Sequence, residues 1–464
     1  MLTAPWRAFD ELMELAGSAR PSDLAIEEGA TALETRFFAE EACAAVLAAC
    51  GTTAADIWVA RGGKPQAVGV ATREAAASLT SFLHNRFEDA ARMPLLVREE
   101  RTPANGFFRT RDERFVYLHQ SFPESAARLH ALMGSPADKA QAAQAVLGWD
   151  AKALEDAIAE RGLCGALART AQEWDASEQG RVLAATAVVE VTRIGEADPE
   201  PLPAGPTPLA GVRTLDLTRV LAGPTCAKAL AAFGAEVLHL TSPTLPTVEM
   251  FVADTNPGKR SAFLDLKAGK GRELLEGLVR GADVFSQGYR AGALDRLGFG
   301  PARLAQLRPG IVCVEIDCYG HDGPWRERPG WEQLAQTATG MAVMHGDHQG
   351  EDGPKLQPAA VNDYTTGYLA AFGALIALDR RAQSGGSWLV RVSLSRTAMW
   401  VRSLGLAEGT IEPLSVTELD AWRVDESSGW GPMRRLRPPV RMSETPAVWT
   451  RPAVRLGTDR PDWA

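Results

Sequence analysis

Five prolines fall within the twelve residues from Ala197 to Pro208, and no other feature constrains the fold of this chain as strongly. Proline fixes φ and lacks a backbone N–H, so neither a helix nor a central strand can continue through the segment. The chain is therefore predicted to divide there, with residues 198–208 as a linker. Because 464 residues allow about three domains, both sides of the linker are long enough to fold.

Strand-like and helix-like segments alternate after the linker. Buried strand patterns occur at Val212–Leu217, Val237–Leu240, Phe263–Leu266, Asp283–Phe285 and Ile311–Ile316, with helical stretches between them such as Pro301–Leu307. This order predicts an α/β fold with a parallel sheet, so residues 209–408 are expected to form a Rossmann-like large domain. Ligands bind such sheets at the carboxyl ends of the strands. The first turn, Arg219–Thr225, lacks the GxGxxG pattern of dinucleotide oxidoreductases.

The remaining segments differ in composition. Residues 1–95 are alanine-rich and helical in pattern, whereas residues 96–197 combine a short strand pair with amphipathic helices, which predicts a small α+β domain. Residues 63–76 resemble residues 385–398, which indicates that the first segment copies the second half of the large domain; chance similarity is the alternative. The tail, residues 409–464, is rich in Pro, Arg and Trp and is predicted to wrap over other surfaces.

Charge and composition argue against several classes of protein. Lys and Arg number 49 against 58 Asp and Glu, a net charge of −9, and no basic block is present. This balance disfavours binding to nucleic acid or to an anionic membrane. Apolar runs such as Leu369–Leu378 are too short to cross a bilayer, and the first ten residues show no signal-peptide pattern. A cytoplasmic protein is expected.

No metal site is predicted from the cysteines and histidines. The six cysteines form no CxxC pair and the histidines do not cluster beside them, which disfavours a zinc site or a disulfide framework. His345 and His348 stand three residues apart in what we interpret as a solvated, glycine-rich loop.

Asp363 stands at the start of a nearly all-apolar helical stretch, Val361–Leu378. A carboxylate there lies at the positive end of the helix dipole, which favours its ionised form. It can be an N-cap, or it can be a nucleophile with backbone N–H groups as oxyanion donors. Composition alone favours the cap.

Two further segments carry cations near predicted strand ends. Asn256–Ser261 contains Lys259 and Arg260, and Gly288–Arg296 contains Tyr289 with Arg290 and Arg296. Cations beside an aromatic side chain suit a purine nucleotide and its phosphates. Ordinary surface loops are the alternative.

Residues 208–404 resemble the large domain of the family III CoA-transferases, which include formyl-CoA transferase, carnitine CoA-transferase and α-methylacyl-CoA racemase. The stretches that carry the resemblance keep the family's order and spacing; they are Leu209–Thr218 with Leu221–Pro224, Asn256–Lys267, residues 282–298, Tyr319–Trp325 and Asn362–Gly367. Residues 110–196 resemble the family's small domain and residues 438–457 its terminal segment. Since the family's large domain comes first, the resemblance implies a rearranged or truncated tandem architecture.

The resemblance implies transfer of coenzyme A from an acyl-CoA to a carboxylic acid. In the family, an aspartate at the position of Asp363 attacks the thioester, and an aspartyl-CoA thioester then passes CoA to the acceptor carboxylate. Glu332 occupies the position of a carboxylate near the active site. The implied CoA contacts are Leu221, Ala222, Lys259, Arg260, Tyr289, Arg290 and Arg296.

Departures from the family pattern keep two alternatives open. Leu221 replaces a glutamine that contacts the active site in formyl-CoA transferase, and Gly288 replaces an asparagine. An acyl-CoA racemase or isomerase is one alternative, but the racemase's histidine is replaced by Trp331, which cannot transfer a proton. A non-catalytic CoA-binding subunit is the other, because the first half of the chain is incomplete.

An interwound homodimer is expected, because chains of the resembled family interlock through long linkers. Residues 1–90 bring apolar helices without a complete sheet, and alone they would expose a large apolar patch. A monomer in which these helices pack on residues 208–404 of their own chain is the alternative. In the repeat register Asp363 falls opposite Glu41, but no βαβ half precedes Glu41, so no second active site is expected.

Overall fold

The computed structural model describes residues 2–89, 105–120, 122–136 and 138–463. Residues 2–89 form α1 (Ala4–Ala16), β1 (Leu24–Glu27), α2 (Ala39–Ala60), β2 (Val68–Ala71), α3 (Thr72–Ser78), α4 (Ser81–His84) and β3 (Arg86–Phe87). The next segment forms β4 (Gly106–Arg109), β5 (Phe115–Leu118), α5 (Pro123–Leu132), α6 (Lys139–Val146), α7 (Ala151–Glu160), β6 (Gly165–Leu167), α8 (Ala171–Ala176), α9 (Glu178–Ala184) and β7 (Glu190–Gly195).

Strands and helices alternate after the linker. They are β8 (Arg213–Leu217), α10 (Ala222–Ala232), β9 (Glu236–Thr241), α11 (Glu249–Thr255), β10 (Lys259–Phe263), α12 (Gly269–Val279), β11 (Val284–Gln287), α13 (Pro301–Leu307), β12 (Val312–Asp317), α14 (Glu332–Ala338), α15 (Met341–Gln349), α16 (Val361–Ser384), β13 (Ser387–Ser393) and α17 (Leu394–Ser403). The tail adds α18 (Val416–Trp422), β14 (Arg423–Ser428), β15 (Gly431–Leu436) and β16 (Arg441–Met442).

A seven-stranded sheet forms the centre of the large domain, in the order β10-β9-β8-β11-β12-β13-β7. Every pairing is parallel except that of β7 with β13. Along β12, Val312 and Val314 join the core on one face of the sheet and Cys313 the core on the other. Strands buried on both faces are typical of parallel sheets covered by helices. The predicted α/β class is confirmed.

Three elements differ from their prediction. The third strand of the large domain lies at Lys259–Phe263 rather than Phe263–Leu266, because its two cations are paired inside the structure and not displayed on a loop. His345 and His348 lie in α15 instead of a loop. Gly346, between the two histidines, allows the helix to pack closely on the following loop, because a Cβ at this position would lie 2.0 Å from the Gly353 carbonyl oxygen. The tail also contains a β-hairpin, β14–β15, that its composition does not reveal.

The N-terminal segment packs on the large domain of its own chain. Helix α2 lies between α1 and α16, and its whole middle portion is buried. By length and composition α2 is apolar enough to cross a membrane, but 83% of its most apolar stretch is buried inside the protein, as in a core helix. The apolar area that motivated the predicted dimer is thus covered within one subunit; the dimer itself stays a prediction.

The two segments of the predicted repeat share a strand–helix–strand–helix order. It consists of β1, α2, β2 and α3 in the first segment and of β12, α16, β13 and α17 in the second, where α14 and α15 intervene between β12 and α16; each pair of strands is parallel. Glu41 and Asp363 are both the third residue of their helices. Strand β16 of the tail completes the small sheet by pairing with β2.

Candidate active site

Three parts of the chain surround a cavity of about 570 Å³ beyond the carboxyl end of β8. Thr80 and Phe82 come from the N-terminal segment, and His119 and Phe122 from the small domain. The large domain contributes most of the remaining wall; among its residues are Val220, Leu221, Phe251, Trp331, Glu332, Gln336 and Asp363. The volume is within the range of small-molecule sites. The cavity lies where a parallel sheet is expected to hold its ligand.

Glu332 caps the helix that carries Asp363. Its Oε2 accepts the backbone N–H of Asp363 at 2.5 Å, and its Oε1 accepts the backbone N–H of Asn362 at 3.2 Å. Oε1 also accepts bonds from the side chains of Asn362 (3.0 Å) and Gln336 (2.6 Å). The first N–H groups of a helix need outside acceptors. Glu332, from α14, therefore supplies the cap that the sequence assigned to Asp363.

Asp363 is left with its carboxyl group turned to the cavity. It is the third residue of α16, inside the first turn, and the N-cap position, Ala360, has no side-chain cap. Within the described residues no hydrogen-bond donor contacts the Asp363 carboxylate, whose side chain lines the cavity. A carboxyl group without a hydrogen-bond partner in a cavity wall is accessible as a nucleophile. The backbone N–H groups of Asn362 and Asp363 donate to Glu332, so they do not stabilise the ionised form of Asp363 as the helix position had predicted.

Burial raises the pKa of both carboxyl groups. Desolvation raises the pKa of Glu332 to about 7, although the hydrogen bonds from Gln336, Asp363 and Asn362 oppose this rise. Desolvation also raises the pKa of Asp363 well above its usual value, and the charge of Glu332 adds to the effect. Because Glu332 accepts four bonds and Asp363 none, Glu332 ionises first and Asp363 keeps its proton to higher pH.

We expect Asp363→Asn to unfold at a higher temperature than the wild type at pH about 8, with the difference vanishing near pH 4. The folded-state pKa of Asp363 lies above its unfolded value, so the wild type loses stability as pH rises through that interval. The asparagine variant has no such proton to lose. Melting curves from pH 4 to 8 check this, with Asp379→Asn on the same helix as the control. A constant difference across the range would contradict the raised pKa.

Close packing of two helices fixes the position of Asp363. A Cβ at Gly367 would lie 2.4 Å from the Ala222 carbonyl oxygen, so glycine is what allows α16 to approach the first turn of α10. Between β8 and α10, Val220 has a φ of 71°. A β-branched residue in this left-handed region is strained, and such strain often marks a functional turn. Val220 and Leu221 both line the cavity.

Aromatic rings form much of the remaining wall. Phe82 meets Phe251 edge-on with ring centroids 5.0 Å apart, and Phe122 packs on Trp331 at 5.1 Å. His119 stacks on Trp331 at 5.7 Å, and burial lowers its pKa to about 4, so its ring is neutral. The wall thus combines aromatic rings with polar side chains, which besides the two carboxyl groups are those of Thr80, Asn105, His119, Gln333, Gln336 and Gln357.

Lys259 is buried away from the cavity. Its Nζ is 2.8 Å from the Asp216 carboxylate and 2.8 Å from the Pro224 carbonyl oxygen, and its side chain has no exposed surface. It therefore connects β10 to β8 and α10 and is not available to a phosphate. This corrects the CoA contact implied by the resemblance.

Arg260 is also occupied within the protein. Its guanidinium pairs with Asp462 at 2.7 Å and with Asp459 at 3.6 Å, both in the tail. These two ion pairs hold the C-terminal segment on the edge strand β10. Arg260 is not among the described residues that line the cavity.

The other predicted contacts lie outside the cavity wall. Ala222 begins α10 directly after Leu221, while Tyr289 and Arg290 follow the carboxyl end of β11, the strand next to β8. Arg290 is exposed and donates to the Gly162 carbonyl oxygen of the small domain at 3.0 Å. Arg296 is exposed in a 3-10 turn over Asp295–Leu297. The structure thus brings Asp363, Glu332 and Leu221 together, with the arginines near the same sheet edge.

Sequence reasoning missed the residues that other segments contribute to the cavity. Nothing in the local pattern of Phe82, His119 or Phe122 distinguishes them from core residues, since only the tertiary fold brings them to Asp363. The internal repeat predicted only that the first segment copies the second half of the large domain, and packing of that segment on residues 208–404 was the alternative to the dimer. Within the described residues, no group of three His, Cys, Asp or Glu side chains is positioned to hold a metal ion.

Comparisons with known proteins identify the family of this chain. The model of CoA-transferase family III matches residues 4–200 and 209–419. The chain is 33% identical over 330 residues to acetyl-coenzyme A transferase nodX of Hypoxylon pulicicidum, covering 66% of this chain and 56% of that protein. It is 35% identical over 203 residues to formyl-CoA:oxalate CoA-transferase of Streptomyces avermitilis, covering 41% and 49%. The chain therefore spans about half the length of the curated relatives it matches.

Among solved structures, a CAIB/BAIF family protein from Brucella suis is 26% identical, with a TM-score of 0.39 over 49% of this chain and 65% of that one. The two matched ranges of the family model leave out only the linker, the tail beyond residue 419 and the first three residues. With most of its length matched, the chain belongs to CoA-transferase family III.

Proposed function

We propose that this chain is a CoA-transferase that moves CoA from an acyl-CoA to a carboxylic acid, with Asp363 as the nucleophile. The observation that carries the proposal is that Glu332, and not Asp363, accepts the backbone N–H groups at the start of α16. Glu332 caps α16, which leaves the Asp363 carboxyl group unbonded in the cavity wall. The names of the relatives, which are acyl-CoA and formyl-CoA transferases, support the same class of reaction.

The proposed reaction has two covalent stages. Once Asp363 has lost its proton, its carboxylate attacks the thioester carbonyl carbon, the C–S bond breaks, and a mixed anhydride and CoA thiolate form. The thiolate attacks the aspartyl carbonyl, which gives an aspartyl-CoA thioester and releases the donor carboxylate. The acceptor carboxylate repeats this exchange in reverse and leaves as the new acyl-CoA. Holding the thiolate beside its partner keeps each step intramolecular.

Intact-mass measurement tests the proposal directly. After incubation with an acyl-CoA, the wild-type chain should gain the mass of a covalent CoA adduct that hydroxylamine removes. Asp363→Asn should gain none. An adduct on the Asn variant, or none on the wild type with a broad panel of acyl-CoAs, would contradict the proposal.

The CoA phosphates are expected at Arg290 and Arg296, exposed arginines that follow the carboxyl end of β11. Arg296→Ala should weaken CoA binding about tenfold while leaving a pantetheine thioester unaffected, because phosphates need cations and pantetheine has none. Calorimetric titration with both ligands checks this. Lys270→Ala, on the exposed face of α12, is the control for a loss of surface charge. Equal losses for the two ligands would remove Arg296 from the phosphate site.

The homodimer remains a proposal of its own. Light scattering at micromolar concentration is expected to give twice the 49.7 kDa chain mass. The alternative is a monomer, because α2 packs on α16 of the same chain. A stable and fully active monomer in solution would overturn the dimer.

His119 favours an acyl-CoA isomerase as the second candidate. The neutral ring lines the same cavity as Asp363 and is stacked on Trp331, the residue at the racemase's histidine position. A neutral imidazole can accept a proton from an α-carbon. Solvent deuterium at the α-carbon of recovered acyl-CoA, without exchange of CoA between acids, would favour this candidate over the transferase.

A further inference from the structure

The cavity wall indicates the class of acyl group, an inference that depends on the proposed transferase function. Phe82, Phe122, Phe251 and Trp331 line the cavity, and each of them is only partly buried in the protein. Their rings therefore offer aromatic surface to a ligand in the cavity. Leu356 extends the same apolar wall. Aromatic surface of this kind is favourable when an apolar ligand covers it and unfavourable when water does.

Charge at the cavity points in the same direction. The described residues that line it include two carboxyl groups, Asp363 and Glu332, and neither lysine nor arginine. The nearby Arg219 guanidinium packs 5.6 Å from the centroid of Phe122 and donates to the Pro246 carbonyl oxygen. Among the described residues of the wall, a second carboxylate on a substrate would find no lysine or arginine, and it would lie in the same space as two carboxyl groups.

The size of the cavity is compatible with an extended acyl group. About 570 Å³ leaves room for such a group beside the thioester end of the pantetheine arm. The pair Phe82–Phe251 joins the N-terminal segment to α11, and the pair Phe122–Trp331 joins the small domain to the large one. The apolar wall is therefore assembled only when all three parts of the chain are in place.

We propose that the site accepts monocarboxylic acyl groups with an extended apolar chain or ring, as donor and as acceptor, and discriminates against dicarboxylic acids. The apolar part of the acyl group lies against the aromatic wall while its single carboxyl carbon meets Asp363. The discrimination follows from the desolvation of a second, unpaired carboxylate.

Substrates of equal length test the charge rule. With hexanoyl-CoA as donor, octanoate and suberate are compared as acceptors, since both have eight carbons and only suberate has a second carboxylate. The kcat/KM for octanoate should exceed that for suberate at least about tenfold. Hexanoyl-CoA should likewise exceed acetyl-CoA as donor. Equal or greater use of suberate, or of acetyl-CoA, would overturn the inference while leaving the transferase proposal intact.

Two variants separate the aromatic wall from general stability. Phe82→Ala should lower kcat/KM for hexanoyl-CoA about tenfold with little change for acetyl-CoA. Leu83→Ala, its exposed neighbour on α4, is the matched control and should change neither. An equal loss for both donors in Phe82→Ala would overturn the role of the ring. Absence of a covalent adduct with every donor tried would overturn the transferase proposal and this inference with it.

Discussion

Replacing Asp363 by alanine should lower CoA transfer by at least about four orders of magnitude, since it removes the proposed nucleophile and with it the covalent path. The fold should survive, because the carboxyl group has no hydrogen-bond partner among the described residues and Glu332 provides the cap of α16. The measurement is the rate of CoA exchange between a labelled acid and an acyl-CoA, together with circular dichroism of the variant.

A contrast with Glu332 makes this prediction specific. Glu332→Ala leaves the N–H groups of Asn362 and Asp363 without their acceptor, so it should cost about 1–3 kcal/mol of folding free energy as well as activity. Asp363→Ala should cost activity alone. Transfer within tenfold of the wild type in Asp363→Ala would refute the assignment of the nucleophile.

Lys259→Met is expected to destabilise the large domain by about 3–5 kcal/mol. The substitution leaves the Asp216 carboxylate buried without its cation. Burial alone would raise the pKa of Asp216, but Lys259 and His239 together with hydrogen bonds from Lys259 and Thr218 bring it below its usual value. Urea unfolding followed by tryptophan fluorescence measures the loss.

A second substitution distinguishes a structural lysine from a phosphate ligand. Asp216→Asn in the Lys259→Met background removes the unpaired charge and should recover part of the lost stability. Arg260→Met, next to Lys259 but half-buried and paired with the tail, should cost far less. If Lys259→Met kept wild-type stability and lost affinity for CoA but not for pantetheine, Lys259 would be a phosphate contact after all.

The order of elements in the large domain was predictable because periodicity is a local property. Pro301–Leu307 was predicted with the bounds that the structure has, since proline at the first turn and a buried strand after it fix both ends. β10 was displaced by four residues for a tertiary reason. The pairing of Lys259 with Asp216, 43 positions earlier, hides a cation that sequence alone assigns to a loop.

The site was predicted through the resemblance more than through local chemistry. Composition favoured Asp363 as a cap, and the true cap, Glu332, lies 31 residues away on another helix. No pattern within either segment connects the two. The contribution of Phe82 and Phe122 to the cavity wall was likewise not predictable from the sequence, because it depends on how the N-terminal segment and the small domain meet the large domain.

The location of α2 sets the order in which this protein can fold as it is synthesised. The helix emerges early, but Tyr368, whose carbonyl oxygen contacts Cys50, lies 318 residues later, and Thr445, which contacts Gln66, lies 379 residues later. Contacts so distant along the chain close slowly. On the ribosome, the face of α2 that packs on α16 therefore stays uncovered until residues 361–384 have been made, and so apolar a helix is then a natural target for chaperones. The first segment to be made is among the last to reach its native environment.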